Sequence, residues 1–231
     1  MTTIQNIRMT HFTEFLYKTR GGKIRVKRGT WEKVENHKIY AKWLKEKLRY
    51  ENEEDWYKIT TEEIYDNYGR GLLVYYNCSS QQFVKEIFPQ YEWKVYKFIQ
   101  VHKGYWDEIE NHNDYANDLG KHLGYTNMED WYKITAKEIQ NYYGGGLLVS
   151  YYNNSPQQFV KEMFPKYEWK LYKFNSVPRN HWEKIKNHKD FVNDLGKHLG
   201  YTNMEHWYKI TLQQIQNYYG GGLLVSYYNN S

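Results

Sequence analysis

The chain repeats itself, and this limits its fold more than any other feature. Trp31, Trp106 and Trp182 align at spacings of 75 and 76 residues, and Trp56, Trp131 and Trp207 each open a "WYKIT" element. Residues 106–155 and 182–231 differ at 10 of 50 aligned positions. "NYYGGGLLVSYYNNS" occurs letter for letter at 141–155 and 217–231, with a relative, "NYGRGLLVYYNCSS", at 67–80. The joining piece recurs as "QQFVKEIFPQYEWKVYKF" at 81–98 and "QQFVKEMFPKYEWKLYKF" at 157–174. Self-similarity at such a period means one supersecondary unit used several times, each copy burying its apolar face against a neighbour. The expected organisation is an N-terminal segment, 1–30, then helical repeats at 31–105, 106–181 and 182–231, the third without its connector.

Within a copy the signals are helical. Trp182, Ile185, Phe191, Leu195 and Leu199 fall on one face by steps of three and four, with a slip near Asn187, which predicts a fresh helix start capped by Asn187. Gly200 then closes that helix. Thr60 with Glu63, and Thr135 with Glu138, have capping-box spacing. "GLLVSYY" reads as another short helix, its preceding glycine taking positive φ in the turn. In "SPQQFVKEMF", Ser155 stands as cap, Pro156 at the first helical position and Pro165 as the stop. "YEWKLYKF" is expected to be extended or irregular, and "KIRVKR" is the one candidate strand. The fold class expected is all-α: a tandem array of three small repeats of roughly four short helices, with a basic N-terminal arm. Helices this short depend on tertiary packing of their Trp, Tyr and Leu faces.

Composition supports a folded chain, since 19% of its residues are aromatic. No apolar run approaches the ~18 residues of a membrane helix, and the first residues lack the apolar core of a signal peptide. Cys78 is the sole cysteine, which excludes an internal disulfide and a Cys-based zinc site. An intracellular or virion-interior setting is therefore expected, with no membrane partner. The net charge of +5 is concentrated: residues 99–231 carry 14 basic and 14 acidic side chains, so the whole excess lies before them. "KTRGGKIRVKR" places Lys18, Arg20, Lys23, Arg25, Lys27 and Arg28 within eleven residues that include no acid.

The stretch "NHKDFVNDLGKHLGYTNMEHWYKIT…GGGLLVSYYNNSPQQFVKEMFPKYEW" resembles tandem repeats in uncharacterised proteins of giant DNA viruses and some microbial eukaryotes. Those repeats share a "DWYxIT" element, a Gly-Gly-x-Leu-Leu element and a "YPEYxW" element. The resemblance covers nearly all of residues 24–231. It implies a repeat architecture and a viral origin, and it carries over no catalytic residue.

The glycine run does not fit a phosphate loop, which needs a Lys and a Ser or Thr after its last glycine and a strand before it. Leu147 and Leu148 follow here, and Arg70 replaces the middle glycine in the first copy. A junction between two helices is the expectation. The helix after that turn offers no Arg, Lys or Gln to read base edges. "SPQQFVKEMF" is the better reader if Gln157, Gln158 and Lys161 face outward, and otherwise an ordinary surface helix. His37, His112 and His188 recur once per copy, always after Asn, as packing or capping residues do. The histidines form no metal-ligand pattern, and no cofactor or enzymatic activity is expected.

Before each copy's first Trp runs a shared Val-x-basic-[Gly/Asn]-x-Trp pattern carrying Lys27 and Arg28, then His102 and Lys103, then Arg179. These cations suit a phosphate backbone, or simply mark where a loop meets solvent. For the arm itself the readings are nucleic acid, an acidic protein surface or targeting signal, and solubility. The function expected is a non-enzymatic nucleic-acid-binding repeat protein with mainly backbone contacts, DNA ahead of RNA, in a packaging or nucleoid role. The alternative is a protein-interaction scaffold.

Overall fold

The computed structural model describes residues 12–178 and 180–229. They are mostly helical, with 65% helix against 3% strand, so the all-α class holds. The chain divides into two compact units, residues 1–103 and 104–231. Among the described residues no helix is long and apolar enough to cross a membrane.

The first unit opens with a 3-10 turn, Phe12–Phe15, and an antiparallel hairpin of β1 (Leu16–Lys18) and β2 (Ile24–Val26). A second 3-10 turn, Thr30–Glu32, carries Trp31 into α1 (Val34–Leu48). The 3-10 segment Glu53–Lys58, α2 (Thr61–Asp66), α3 (Arg70–Leu73) and α4 (Ser80–Ile87) follow. In α1, His37, Tyr40, Ala41 and Leu44 are buried at the i, i+3, i+4, i+7 positions of one face. Tyr40, Ala41 and Leu44 meet Trp56, Ile64, Leu72 and Phe83 in one core. Phe12 is fully buried there, stacked on Trp31 with ring centroids 5.7 Å apart and edge-on to Tyr40 at 4.9 Å.

The second unit runs twice through a similar series. Its first pass is α5 (Ile109–His122), α6 (Ala136–Ile139), α7 (Gly145–Tyr152) and α8 (Pro156–Met163). Its second is α9 (Ile185–His198), α10 (Leu212–Ile215) and α11 (Gly221–Tyr227). "YEWKLYKF" is irregular but for one 3-10 turn, Leu171–Lys173. That turn seats Tyr172 on the second pass, stacked on Trp182 at 6.3 Å and edge-on to Phe191 at 5.2 Å. Phe12 holds the corresponding seat on the first copy.

The Asn-His pair has a definite task. Asn36 donates to the carbonyl of Thr30 at 2.7 Å, and the Nε2 of His37 lies 2.9 Å from the carbonyl of Trp31. A carbonyl only accepts, so Nε2 carries the proton, and Nδ1 accepts from the Tyr76 hydroxyl at 2.7 Å. Asn111 and His112 clamp Tyr105 and Trp106 likewise, at 2.6 Å each, with Tyr152 on Nδ1 at 2.5 Å. Asn187 and His188 do the same to His181 and Trp182. This corrects the expected helix start at Asn187. The break comes earlier, at Lys184, and α9 runs unbroken through Asn187, whose side chain reaches back to the 3-10 turn.

The glycine turn also differs from expectation. Tyr68, Tyr143 and Tyr219 take the left-handed conformation at φ 70°, 68° and 67°, not the glycines that follow them. The first glycine is needed for space instead. A Cβ on Gly144 would sit 2.1 Å from the Tyr115 hydroxyl and 2.8 Å from Ile139 Cγ2. A Cβ on Gly69 would meet Ile64 at 2.4 Å and Tyr40 at 2.5 Å. These tyrosines cross beneath the turn to donate to the carbonyls of Ile139 and Ile64, at 3.0 and 3.2 Å, and burial pushes both phenols well above their ordinary pKa.

The capping boxes form as read: Thr60 with Glu63, Thr135 with Glu138, and Ser155 accepting from the Gln158 amide. Gly200 closes α9 at φ 71°. Two more boxes, Asn52 with Asp55 and Asn127 with Asp130, open the Trp-bearing 3-10 segments. Lys58 and two backbone amides hold the Asp55 carboxyl down to about 2, and the Thr126 amide, then Lys133, hold Asp130 down to about 2. Their folded pKa lies below the unfolded ~3.9. Their stabilisation is therefore complete above about pH 4 and is lost as pH falls through about 2. Circular-dichroism melts should show Tm dropping across that window, and Asp55→Asn with Asp130→Asn should flatten the drop. His206 replaces this Asp in the third copy, so that copy adds nothing to the effect.

Candidate nucleic-acid interface

The segment expected as a basic arm is a hairpin tied to the first unit. Leu16 pairs with Val26, Tyr17 with Arg25 and Lys18 with Ile24. The "TRGGK" turn closes it, with Thr19 N–H donating to Lys23 at 2.8 Å and Gly22 at φ 81°, a conformation that favours glycine. Phe15, Leu16 and Val26 pack against the core, and the Lys27 amide donates to the Phe15 carbonyl at 2.8 Å. The strand segment "KIRVKR" is thus realised as β2.

Successive strand residues alternate faces. Leu16 and Val26 lie on the core side, which directs Tyr17 and Arg25 outward as a cross-strand pair. Tyr17 is 44% exposed. Lys18, Arg20, Lys23, Arg25, Lys27 and Arg28 are all exposed. Among the described residues no carboxylate comes within 4 Å of any of these six. The hairpin is a concentrated cationic surface with one outward aromatic ring.

The Gly/Asn in the pattern before each first Trp has a backbone cause. Gly29, Gly104 and Asn180 sit at φ 79°, 85° and 63°, launching the 3-10 turn that carries the Trp. Lys27, Arg28 and Lys103 stand exposed just before such turns. His102 is also exposed, but its Nδ1 lies 3.3 Å from the side-chain oxygen of Gln81. Arg179 lies outside the described residues.

Gln157 is a correction. It was expected to face outward, yet it is only 6% exposed. Its amide donates to the carbonyl of Ser176 and its oxygen accepts from Ser155, so it fastens the connector's tail. Gln81 does the same to Gln100 in the first unit. Gln158 is half-buried and bonded to Glu162 at 3.0 Å, while Lys161 is exposed. A buried Gln157 cannot read base edges; α8 leaves Gln158 partly exposed and Lys161 exposed.

The second unit also has a polar cleft of about 420 Å³ between residues 168–172 and α9. Its charges alternate: Lys170 bonds Glu168 at 2.6 Å and reaches Asp194 at 3.3 Å. Tyr172 donates to Asp194 at 2.7 Å. Burial opposes ionisation of Asp194, but the Tyr172 and Lys170 hydrogen bonds outweigh it and lower its pKa. The cleft mixes Lys170, Lys186 and Lys197 with Glu168, Asp190 and Asp194, so it does not concentrate one sign of charge as the hairpin does. Among the described residues no cluster of His, Cys, Asp or Glu could hold a metal ion.

No family model, no curated protein and no solved structure matches the chain.

Proposed function

We propose that this chain is a non-enzymatic nucleic-acid-binding protein of three tandem helical repeats, gripping the phosphate backbone mainly through its N-terminal hairpin. One observation carries the reading: six exposed cations, unpaired with any described carboxylate, lie within residues 18–28 of a hairpin whose Tyr17 and Arg25 form an outward cross-strand pair. Charge of this density supplies affinity with little sequence preference, and an outward ring can stack on an unpaired base. The resemblance to repeats of DNA-virus proteins puts DNA ahead of RNA and fits a packaging or nucleoid role inside a cell or particle. Lys103 is exposed in the hairpin's own unit and can add to the footprint, and Lys161 is an exposed cation of the other unit; buried Gln157 does not contribute.

The test is a gel-shift titration with a short mixed-sequence duplex and a single strand. With four to six phosphates neutralised, affinity should fall about a hundred- to a thousand-fold between 50 and 200 mM salt. Absence of binding at low salt would refute the proposal.

A further inference from the structure

Each copy leaves one tyrosine uncovered at the same place. Tyr75, Tyr151 and Tyr227 are 54%, 38% and 43% exposed. Each ring leans on its copy's clamp histidine, with centroids 5.5, 5.1 and 5.1 Å apart. The residue one turn before that histidine, Val34, Ile109 or Ile185, is exposed as well, at 57%, 49% and 64%. Single apolar residues in solvent are ordinary, but a pair kept at one place in three copies needs a reason. The first two copies keep the pair open although the chain runs on into a connector. Its exposure therefore belongs to the copy itself and not to its position along the chain.

What differs between the copies is the charge flanking the pair. The residues on either side of Val34 are Lys33 and Glu35, those beside Ile109 are Glu108 and Glu110, and those beside Ile185 are Lys184 and Lys186. The last four are exposed, and among the described residues no opposite charge lies within 4 Å of them. Glu108 and Glu110 suit the start of α5, where the helix dipole favours anions. Lys184 and Lys186 stand at the same place on α9, whose first turn holds no acid, and there the dipole opposes them. The helix itself gives no reason for these lysines. The third copy also has a cavity of about 370 Å³ beside Tyr227, walled by Pro178, Trp182 and Glu183.

We propose that the Ile109–Tyr151 patch of one molecule docks on the Ile185–Tyr227 patch of a second copy of this chain. The two patches share their apolar pair and carry opposite charge around it, so Glu108 and Glu110 face Lys184 and Lys186 while Ile109 meets the cavity beside Tyr227. Complementary charge of this kind fixes which surfaces meet and repels the like pairings. Each molecule carries one patch of each sign, so the contact is head-to-tail and its product is a closed pair or a row. The first copy's patch, with Lys33 against Glu35, cancels its own charge and makes no such match. The inference does not rest on the nucleic-acid reading, and no hairpin residue takes part in it.

The test is sedimentation velocity of the full chain, without nucleic acid, from about 1 to 200 µM. The mass should rise with concentration, with a Kd of about 10 to 100 µM at low salt, and the contact should weaken roughly tenfold in about 500 mM salt. Glu108→Lys with Glu110→Lys gives the second copy the residues of the third, and Lys184→Glu with Lys186→Glu does the reverse. Each variant therefore places at a helix start only what another copy already carries there, and each should fold. Alone, each should stay monomeric at about 200 µM, because like charges then meet. An equimolar mixture of the two variants should associate again, since an acidic patch then meets a basic one between unlike molecules. A wild-type chain that stays monomeric at low salt, or a mixture that does, would overturn the proposal. So would association that survives both pairs of substitutions. Association lost with the Glu pair but kept with the Lys pair would overturn it as well, since the hairpin of another molecule would then be the cationic partner.

Discussion

Replacing Gly144 with alanine is expected to destabilise the second unit by about 3 to 5 kcal/mol. Gly144 has φ −92°, so the backbone would accept a side chain. Space forbids it: the new methyl would lie 2.1 Å from the Tyr115 hydroxyl and 2.5 Å from its Cζ. Tyr115 is fully buried and cannot retreat without breaking its bond to the Ile139 carbonyl, leaving both groups unsatisfied in the core. Gly145→Ala is the control. Its Cβ would meet nothing closer than Gln140 Cγ at 3.7 Å, and φ is −59°. That change should be neutral or stabilise by about 0.5 to 1 kcal/mol, because it restricts the unfolded chain. Arg70 already occupies the matching place in the first copy. Urea melts of the two variants should therefore separate widely, although the substitutions are adjacent and chemically identical.

His112→Ala should cost about 3 kcal/mol, since it strips partners from two buried groups at once. The Tyr152 hydroxyl loses its acceptor and the Trp106 carbonyl loses its donor, in a cluster where His112 is only 4% exposed. The backbone carbonyls of the 3-10 turn carrying Trp106 would then keep the Asn111 bond to Tyr105 but lose the one to Trp106. Asn111→Ala removes one bond and should cost about 1 to 2 kcal/mol. His188→Ala should cost less than His112→Ala, because Tyr228 stands 3.2 Å away and is itself exposed. Equal losses at His112 and His188 would show that the hydroxyl partner contributes nothing.

Much of the local structure was legible because its cause is local. Thr135 and Glu138 are three residues apart, and the cap they form needs nothing else. Ser155, Pro156 and Gly200 likewise act within their own turn. The misreadings share a different cause, in that each residue answers to a partner far along the chain. Gly144 answers to Tyr115 and Gln157 to the Ser176 carbonyl, while His112, read as a packing residue, has its hydroxyl partner Tyr152 40 residues on. Asn187 had the right chemistry for a cap, but the nearby 3-10 turn offered a carbonyl, so it donates there. A recurring Asn-His dipeptide before a recurring Tyr at a fixed distance was the available signal for the clamp. Phe12 could not be found from the repeat, since its sequence context differs from the Tyr172 connector whose seat it copies.

For the candidate interface, the charge cluster was plain in the sequence and its presentation was not. A free arm would trail its six cations through solvent. The hairpin fixes them on a frame pinned by Phe15, Leu16 and Val26, and it turns Tyr17 outward beside Arg25. The alternation that does this depends on register, and register was set by a glycine turn that the composition of the segment alone did not single out.

The central claim is that this hairpin grips phosphates. The most direct measurement compares the wild-type chain with Lys23→Gln, Arg25→Gln, Lys27→Gln and Arg28→Gln combined, plotting log affinity for a DNA duplex against log salt concentration. Each phosphate contact contributes about −0.9 to the slope, so the fourfold variant should lose about 3 to 4 units of it together with most of its low-salt affinity. The four side chains are exposed, and the melting temperature should stay the same. An unchanged slope and affinity in a folded variant would contradict the account.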